Sequence, residues 1–134
     1  MSVEFTDNSA QVKGKINDIC KQWLDEAGGE LASQAARNQT RRDTGNTAGA
    51  WTYRVTGDTA TIGNPLENAI WEEYGTGEYA LQGNGRKGGW AYEDAKGKWH
   101  FTKGKTPLRP LHKAFSSNRD KLRKRLEQQL KGLG

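Results

Sequence analysis

The fold class is decided by residues 51–63, which read WTYRVTGDTATIG. Large apolar side chains at positions 51, 53 and 55 alternate with polar ones, as in a strand with one buried face. Gly57-Asp58 is a two-residue turn signal, and a second alternating run follows it. The stretch therefore predicts an antiparallel β-hairpin in the middle of the chain.

Long helical patterns flank this hairpin. Residues 9–38 carry an apolar residue every three or four positions, which predicts an amphipathic helix. We expect Gly28-Gly29 to kink or split it, because each glycine costs about 1 kcal/mol relative to alanine. Residues 108–131 predict a second helix about 36 Å long. A chain of this length has a radius of gyration of about 14 Å, so the distal half of the second helix is expected to overhang the domain.

Shorter elements lie between these helices. Residues 66–74 predict a short helix with Ile70, Trp71 and Tyr74 on one face. Its three glutamates are expected to form a solvated acidic face. Asp43 or Thr44 is a candidate cap for a short helical turn before the hairpin.

A glycine-rich loop and a second hairpin follow the short helix. Residues 75–89 hold six glycines and predict a flexible, exposed loop. Aromatic alternation at 90–92 and 99–101 predicts a hairpin around a turn. The expected fold class is α+β, with a small antiparallel sheet and its hairpins packed against two long helices, all in one domain spanning residues 1–134.

The composition indicates a thin core. Leu, Ile, Val and Phe together number only 20 of 134 residues, whereas there are five Trp and four Tyr. Low aliphatic content is typical of disordered chains, but the modest net charge of +5 and the helical periodicity argue for a folded domain. We therefore expect part of the burial to come from other subunits, with Trp51, Trp71, Trp90 and Trp99 divided between core and subunit contacts.

Several classes of protein are disfavoured by the sequence. No apolar run approaches the ~18 residues of a membrane span, and residues 1–7 have no signal-peptide core. One cysteine, Cys20, fits a reducing cytosol. His100 and His112 have no Cys/His cluster at metal-ligand spacing around them. We expect no enzyme activity, no metal and no cofactor.

Charge is segregated along the chain. Residues 1–95 carry 9 basic and 14 acidic residues, whereas residues 96–134 carry 12 basic and 2 acidic ones. Opposite charge on two parts of one chain suits head-to-tail association, with acidic residues 67–78 of one subunit against the basic last helix of the next. The basic residues of the same helix could also contact DNA phosphates in a salt-sensitive way, or they could form a solvated helix face. The composition favours these two interpretations equally. The basic residues concerned are Lys113, Arg119, Lys121, Arg123, Lys124, Arg125 and Lys131.

The order of several short motifs resembles one known family. Asp43-Thr44-Gly45-Asn46 precedes the first strand, and an aromatic-glutamate-aromatic-GTG segment occupies residues 71–77. A proline-flanked segment, residues 107–115, opens the last helix. This order resembles the HK97 gp10-like family of tailed-phage neck and tail-completion proteins over about residues 10–130. Thr47 stands where that family often has Leu, and Leu108 and Leu111 stand near its usual Phe-Leu pair.

The resemblance implies a structural role. It implies a small antiparallel sheet packed by two long helices, and a virion protein assembled in the bacterial host cytoplasm. Its place would be a ring at the neck or tail end of a siphovirus, where a head–tail connector or tail terminator joins head to tail. Six copies are expected at a tail end and twelve on a head-side ring. Adjacent stopper and tail-tube proteins would be partners, genomic DNA would pass through the lumen, and no membrane is involved.

The alternative function is a small basic cytosolic nucleic-acid-binding protein that uses its C-terminal helix. For the structural role, the candidate subunit or partner interface combines aromatic, acidic and basic side chains. These are Glu67, Trp71, Glu72, Glu73, Tyr74, Trp90, Tyr92, Trp99, Arg119, Arg123, Lys124 and Arg125.

Overall fold

The computed structural model describes residues 2–40 and 45–133, and it confirms the expected α+β class. Long helices stand at both ends, with two hairpins and two short helices between them. The elements are α1 (Ser9–Asn38), α2 (Asn46–Gly49), β1 (Thr52–Thr56), β2 (Thr59–Gly63), α3 (Glu67–Tyr74), a 3₁₀ turn (Gly77–Tyr79), β3 (Trp90–Glu93), β4 (Trp99–Thr102) and α4 (Pro110–Lys131). The candidate caps Asp43 and Thr44 lie outside the described residues.

The two long helices pack against each other in antiparallel orientation and form the core. Near the end of α1, the Asn38 amide donates to the Pro110 carbonyl at 3.1 Å. Farther back along α1, the Trp23 indole donates to the Leu122 carbonyl at 2.7 Å. Between these points the helices bury small side chains, including Ala35, together with Leu122. Small residues let the helix axes approach closely, so few aliphatics suffice for this core.

The expected overhang of α4 is wrong, because it is α1 that extends past its partner. Leu122, in the distal half of α4, is only 4% exposed, and Arg125 pairs with Glu30 at 2.6 Å. By contrast, residues 2–18 are exposed throughout, including Val12 and Ile16 of the predicted apolar stripe. A helix of 30 residues is about 45 Å long, whereas the 22 residues of α4 span about 33 Å. The first turns of α1 therefore have no helix opposite them.

The glycine pair in α1 does not split the helix. The helix is continuous from Ser9 to Asn38, and Gly28 lies under the ring of Tyr53 from β1. A Cβ on Gly28 would lie 2.5 Å from Tyr53 Cδ2. The Tyr53 hydroxyl donates to Asp25 Oδ1 at 2.9 Å, which fixes the ring on this spot. The glycine thus serves close packing of the hairpin on the helix.

Two glycines of α1 give a matched test of that packing. We expect Gly28→Ala to lower the free energy of unfolding by about 2 kcal/mol, because overlap in a packed site outweighs the gain in helix propensity. Gly14→Ala meets nothing within 4 Å and is expected to raise stability by up to about 1 kcal/mol. Urea unfolding followed by circular dichroism measures both. A stabilising Gly28→Ala would contradict the close approach.

The hairpins form two separate two-stranded antiparallel sheets within the described residues. In the first, Tyr53 pairs with Ile62, and both strands pack on α1. In the second, Tyr92 pairs with His100. Both hairpins lie where the alternation predicted them. Of the described helices, none is both long and apolar enough to cross a membrane.

Candidate interaction surface

Two segments that are far apart in sequence run side by side next to the second hairpin. The Thr76 amide donates to the Lys105 carbonyl at 2.9 Å, and the Lys105 amide donates back to the Thr76 hydroxyl at 2.8 Å. The Glu78 amide donates to the Lys103 carbonyl at 2.9 Å. These bonds fix the first part of the predicted flexible loop against the chain that leads into α4. We call the paired stretches the seam: residues 72–79 and 103–109.

Glu73 joins the seam to α4. Its Oε2 accepts the Leu111 amide at 2.9 Å and its Oε1 accepts the His112 amide at 3.0 Å. Both amides belong to the first turn of α4, where N–H groups have no partner within the helix. Arg109, at the cap position, makes no side-chain cap bond. Glu73, a residue of α3, thus does for α4 what an N-cap side chain usually does. Its negative charge lies at the positive end of the α4 dipole.

Glu72 fixes the other side of the seam. Its carbonyl accepts the Leu108 amide at 2.7 Å and the Arg109 amide at 3.0 Å. Its Oε1 is 2.6 Å from Lys105 Nζ. The two adjacent glutamates therefore hold the chain just before α4 by both main-chain and side-chain contacts.

The expectation of a solvated acidic face on α3 is wrong. Glu72 is 3% exposed and Glu73 is 9% exposed. The apolar side chains of the same helix point outward instead, with Ile70, Trp71 and Tyr74 all exposed. Of the three predicted acidic positions, only Glu67 lies at the surface. The contacts of Glu72 and Glu73 are made within the subunit, so these two side chains do not face a partner.

An aromatic cleft opens beside the seam, with a volume of about 680 Å³. Trp71 comes from α3, Tyr79 from the 3₁₀ turn, and Trp90 and Tyr92 from β3. Polar groups from the seam, including Lys105, complete the lining. Trp71, Tyr79 and Tyr92 are exposed and Trp90 is half-buried. Three of the predicted interface aromatics thus meet at one site, whereas Tyr74 and Trp99 lie outside its lining.

The second hairpin is fixed by a polar cluster. His100 Nε2 lies 2.7 Å from Asp94 Oδ2, and the His100 ring stacks on Tyr92 at 5.2 Å. The hydrogen bond from His100, followed by the Lys98 amide, lowers the pKa of Asp94. Arg86 lies over Trp90 at 5.7 Å from the ring centre. Both aromatic side chains that β3 gives to the cleft are therefore held by neighbours.

Two of the other three tryptophans pack on the helical core. Trp23 and Trp51 are half-buried against the core cluster. Trp99 is 65% exposed on β4. The chain thus divides its tryptophans between core and surface.

The basic residues of α4 are partly paired within the subunit. Arg125 contacts Glu30 at 2.6 Å, which raises the pKa of Arg125 and lowers that of Glu30. Lys121 approaches the same Glu30 at 3.7 Å. Arg119 and Arg123 make only loose contacts, at 3.8–3.9 Å, with carboxylates of their own helix. Lys124 is exposed. The cations available to a partner are therefore fewer than the sequence count.

Two contributors to this surface were missed by sequence reasoning. Lys105 is the partner of Glu72 and lines the cleft, and Tyr79 forms one wall. Tyr79 lies in the segment predicted as a flexible loop, and Lys105 lies between the second hairpin and the last helix. The signal that could have found them is the concentration of glycines at 75–77 and 104, which marks a close approach of two backbones.

The match to known families covers the first half of this architecture. The family model described as "Bacteriophage HK97-gp10, putative tail-component" matches residues 4–75, more than half of the chain. The protein belongs to the HK97-gp10-like family. No curated protein and no solved structure matches the chain significantly.

Membership in the HK97-gp10-like family gives the chain a structural role as a phage tail component, associated with the virion. The match spans α1, the first hairpin and α3, and it stops at Gly75. Most of the aromatic cleft lies beyond it. Among the residues that the structure describes, no group of three or more His, Cys, Asp and Glu side chains is placed to hold a metal ion.

Proposed function

We propose that this protein forms a closed ring at the neck or tail end of a long-tailed phage and completes the tail so that it joins the head. The ring is expected to hold six subunits, with twelve as the alternative for a head-side position. Stopper and tail-tube proteins are its neighbours along the axis, and genomic DNA passes through its lumen.

The observation that carries the proposal is the exposed aromatic lining of the cleft. Soluble monomers rarely expose contiguous large apolar side chains, and such patches mark interaction sites. Trp and Tyr are also the side chains most enriched at interaction hot spots. The exposed aromatic side chains of the cleft are Trp71, Tyr79 and Tyr92. A partner surface is therefore needed at this end of the molecule.

Charge supports head-to-tail contact between subunits. Glu67 and Glu78 remain as exposed carboxylates near the aromatic cleft, and Lys124 remains as an exposed cation on α4. Two different surfaces that attract each other give a heterologous contact, which repeats until the rotation closes a ring. The charge reversal between the two parts of the chain favours this over a symmetric dimer.

Cleft variants test the proposal. We expect Trp71→Ala and Tyr92→Ala each to raise the concentration needed for assembly by roughly 30-fold, the effect of a hot spot of about 2 kcal/mol. Light scattering and negative-stain images of the purified protein report the assembly. Complementation of tails that lack the protein reports its role in the virion.

The control is Leu133→Ala, which removes an exposed apolar side chain outside the cleft and is expected to leave assembly unchanged. Circular dichroism verifies that each variant remains folded. A wild-type protein that stays monomeric and never joins tails would contradict the proposal. Tight, steeply salt-dependent binding of duplex DNA by that monomer would support the nucleic-acid-binding alternative instead.

A further inference from the structure

A second apolar surface shares no lining residue with the cleft. It is a groove of about 370 Å³ between α1, β2 and α4. Trp23 and Leu31 form one wall, Ile62 the floor, and Phe115 and Leu122 the other wall. Phe115 is 51% exposed. The apolar groove is thus incompletely covered within the subunit.

Basic side chains line one edge of this groove. Arg119 and Arg123 are one turn apart on α4, and both belong to its lining. Their contacts with Asp120 and Glu127 are 3.8–3.9 Å long. No acidic residue is among the lining residues that the structure describes. The groove therefore suits an apolar segment that also carries negative charge.

Such a segment, exposed throughout, directly precedes α1. Val3 and Phe5 are 70% and 93% exposed, and Glu4 lies between them. Residues 2–12 contain two acidic residues and no basic one. Two large apolar side chains beside carboxylates are the complement of the groove. We call residues 2–8 the arm.

Phe5 cannot reach Phe115 of its own subunit. Along α1, Ser9 and Trp23, the groove residue of this helix nearest to the arm, are about 21 Å apart, because α1 is continuous between them. Phe115 lies still farther along α1, between the Trp23–Leu122 and Asn38–Pro110 contacts. The four residues from Ser9 back to Phe5 span at most about 14 Å when extended. A Phe5 side chain that contacts Phe115 must therefore come from another copy.

We propose that the arm of one subunit binds the apolar groove of the next, with Phe5 against Phe115 and Leu122, and Glu4 near Arg119 and Arg123. The inference rests on the proposed self-association and names one contact of it. Arm and groove are different surfaces, so the contact repeats in one direction, as ring closure requires. It also covers the apolar residues that the subunit leaves exposed at both places.

Cysteine pairing tests the contact directly. In a Cys20→Ser background, Phe5→Cys is combined with Phe115→Cys and the full-length protein is oxidised. We expect dimers and higher species on a non-reducing gel. The matched control combines Phe5→Cys with Ser33→Cys, an exposed position on α1 outside the groove, and is expected to give at least tenfold less product. Equal yields from both pairs, no product, or a product within one chain would overturn the proposal.

Charge reversal tests how the arm is held. Adding Arg119→Glu and Arg123→Glu is expected to lower the yield of the Phe5–Phe115 pair about tenfold, and Glu4→Lys with Asp7→Lys is expected to restore it. An unchanged yield after the charge reversal would contradict the placement of Glu4 near Arg119 and Arg123. Light scattering of the wild type separates the two proposals. Rings without the cysteine product contradict the arm contact alone, whereas a monomeric wild type contradicts the ring itself.

Discussion

Replacing Glu73 with alanine is expected to lower the free energy of unfolding by about 3 kcal/mol. The carboxylate accepts two amides of α4 from a buried position, and hydrogen bonds to a charged group contribute about 1.5–3 kcal/mol each. Its loss also leaves the positive end of the helix dipole uncompensated. Urea unfolding followed at the far-UV helix signal measures the effect.

The matched control for Glu73 is on the same helix. Glu67 lies in the first turn of α3 and is exposed, so Glu67→Ala is expected to change stability by no more than about 0.5 kcal/mol. Glu73→Gln keeps one acceptor and presents an amide N–H₂ to the other donor, so an intermediate loss is expected. A loss below 1 kcal/mol for Glu73→Ala would show that α4 does not depend on this cap.

Gly77→Ala is expected to cost at least about 3 kcal/mol and to open the seam. Gly77 has φ +60, where a side chain is strained, and its Cβ would overlap with the Lys103 carbonyl oxygen. The overlapping atom is backbone and cannot rotate away, so the seam itself must move. Loss of the Trp90 and Tyr92 positions should follow, detected by near-UV circular dichroism as well as by urea unfolding.

Gly83 separates the two causes of that loss. It has φ +70, but nothing lies within 4 Å of its Cβ position. Gly83→Ala therefore carries the backbone strain alone, expected at about 1 kcal/mol, with no change in the aromatic signal. Equal losses for Gly77→Ala and Gly83→Ala would mean that the close approach at the seam is not needed for stability.

The regular elements of this protein were predictable because each depends on local chemistry. Periodicity placed α1 within a residue of its bounds, and Gly57-Asp58 placed the turn between β1 and β2. The α4 helix begins at Pro110, two residues later than its apolar pattern. The pattern includes Leu108, whose amide is bound by Glu72 instead of by the helix.

The errors all concern long-range partners. The burial of Glu72 and Glu73 depends on Lys105 and on the first turn of α4, more than thirty residues away. In a helix of eight residues such as α3, the sequence pattern alone does not tell whether the apolar face or the acidic face is buried. Gly28 was read as a helix breaker because the ring that covers it belongs to β1. Chain dimensions required an overhanging helix but did not identify α1 as the one that overhangs.

The sequence predicted which aromatic residues take part in the candidate site, but not that they lie next to one another. Sequence reasoning named Trp71, Trp90 and Tyr92, which meet at the cleft. It did not join them to one another, since the seam that brings them together is made largely of main-chain bonds. Main-chain bonds do not depend on residue type, so only the glycines at the close approach indicate them in the sequence.

The connection of the cleft to α4 has a mechanical consequence. A pull on a partner held by Trp71 enters α3, passes through Glu72 and Glu73, and reaches the start of α4 by hydrogen bonds between main chain and carboxylate. The start of α4 is in turn joined to the end of α1, where the Asn38 amide donates to the Pro110 carbonyl. A force on the cleft of an assembled subunit would thus reach the helical core through two buried carboxylates.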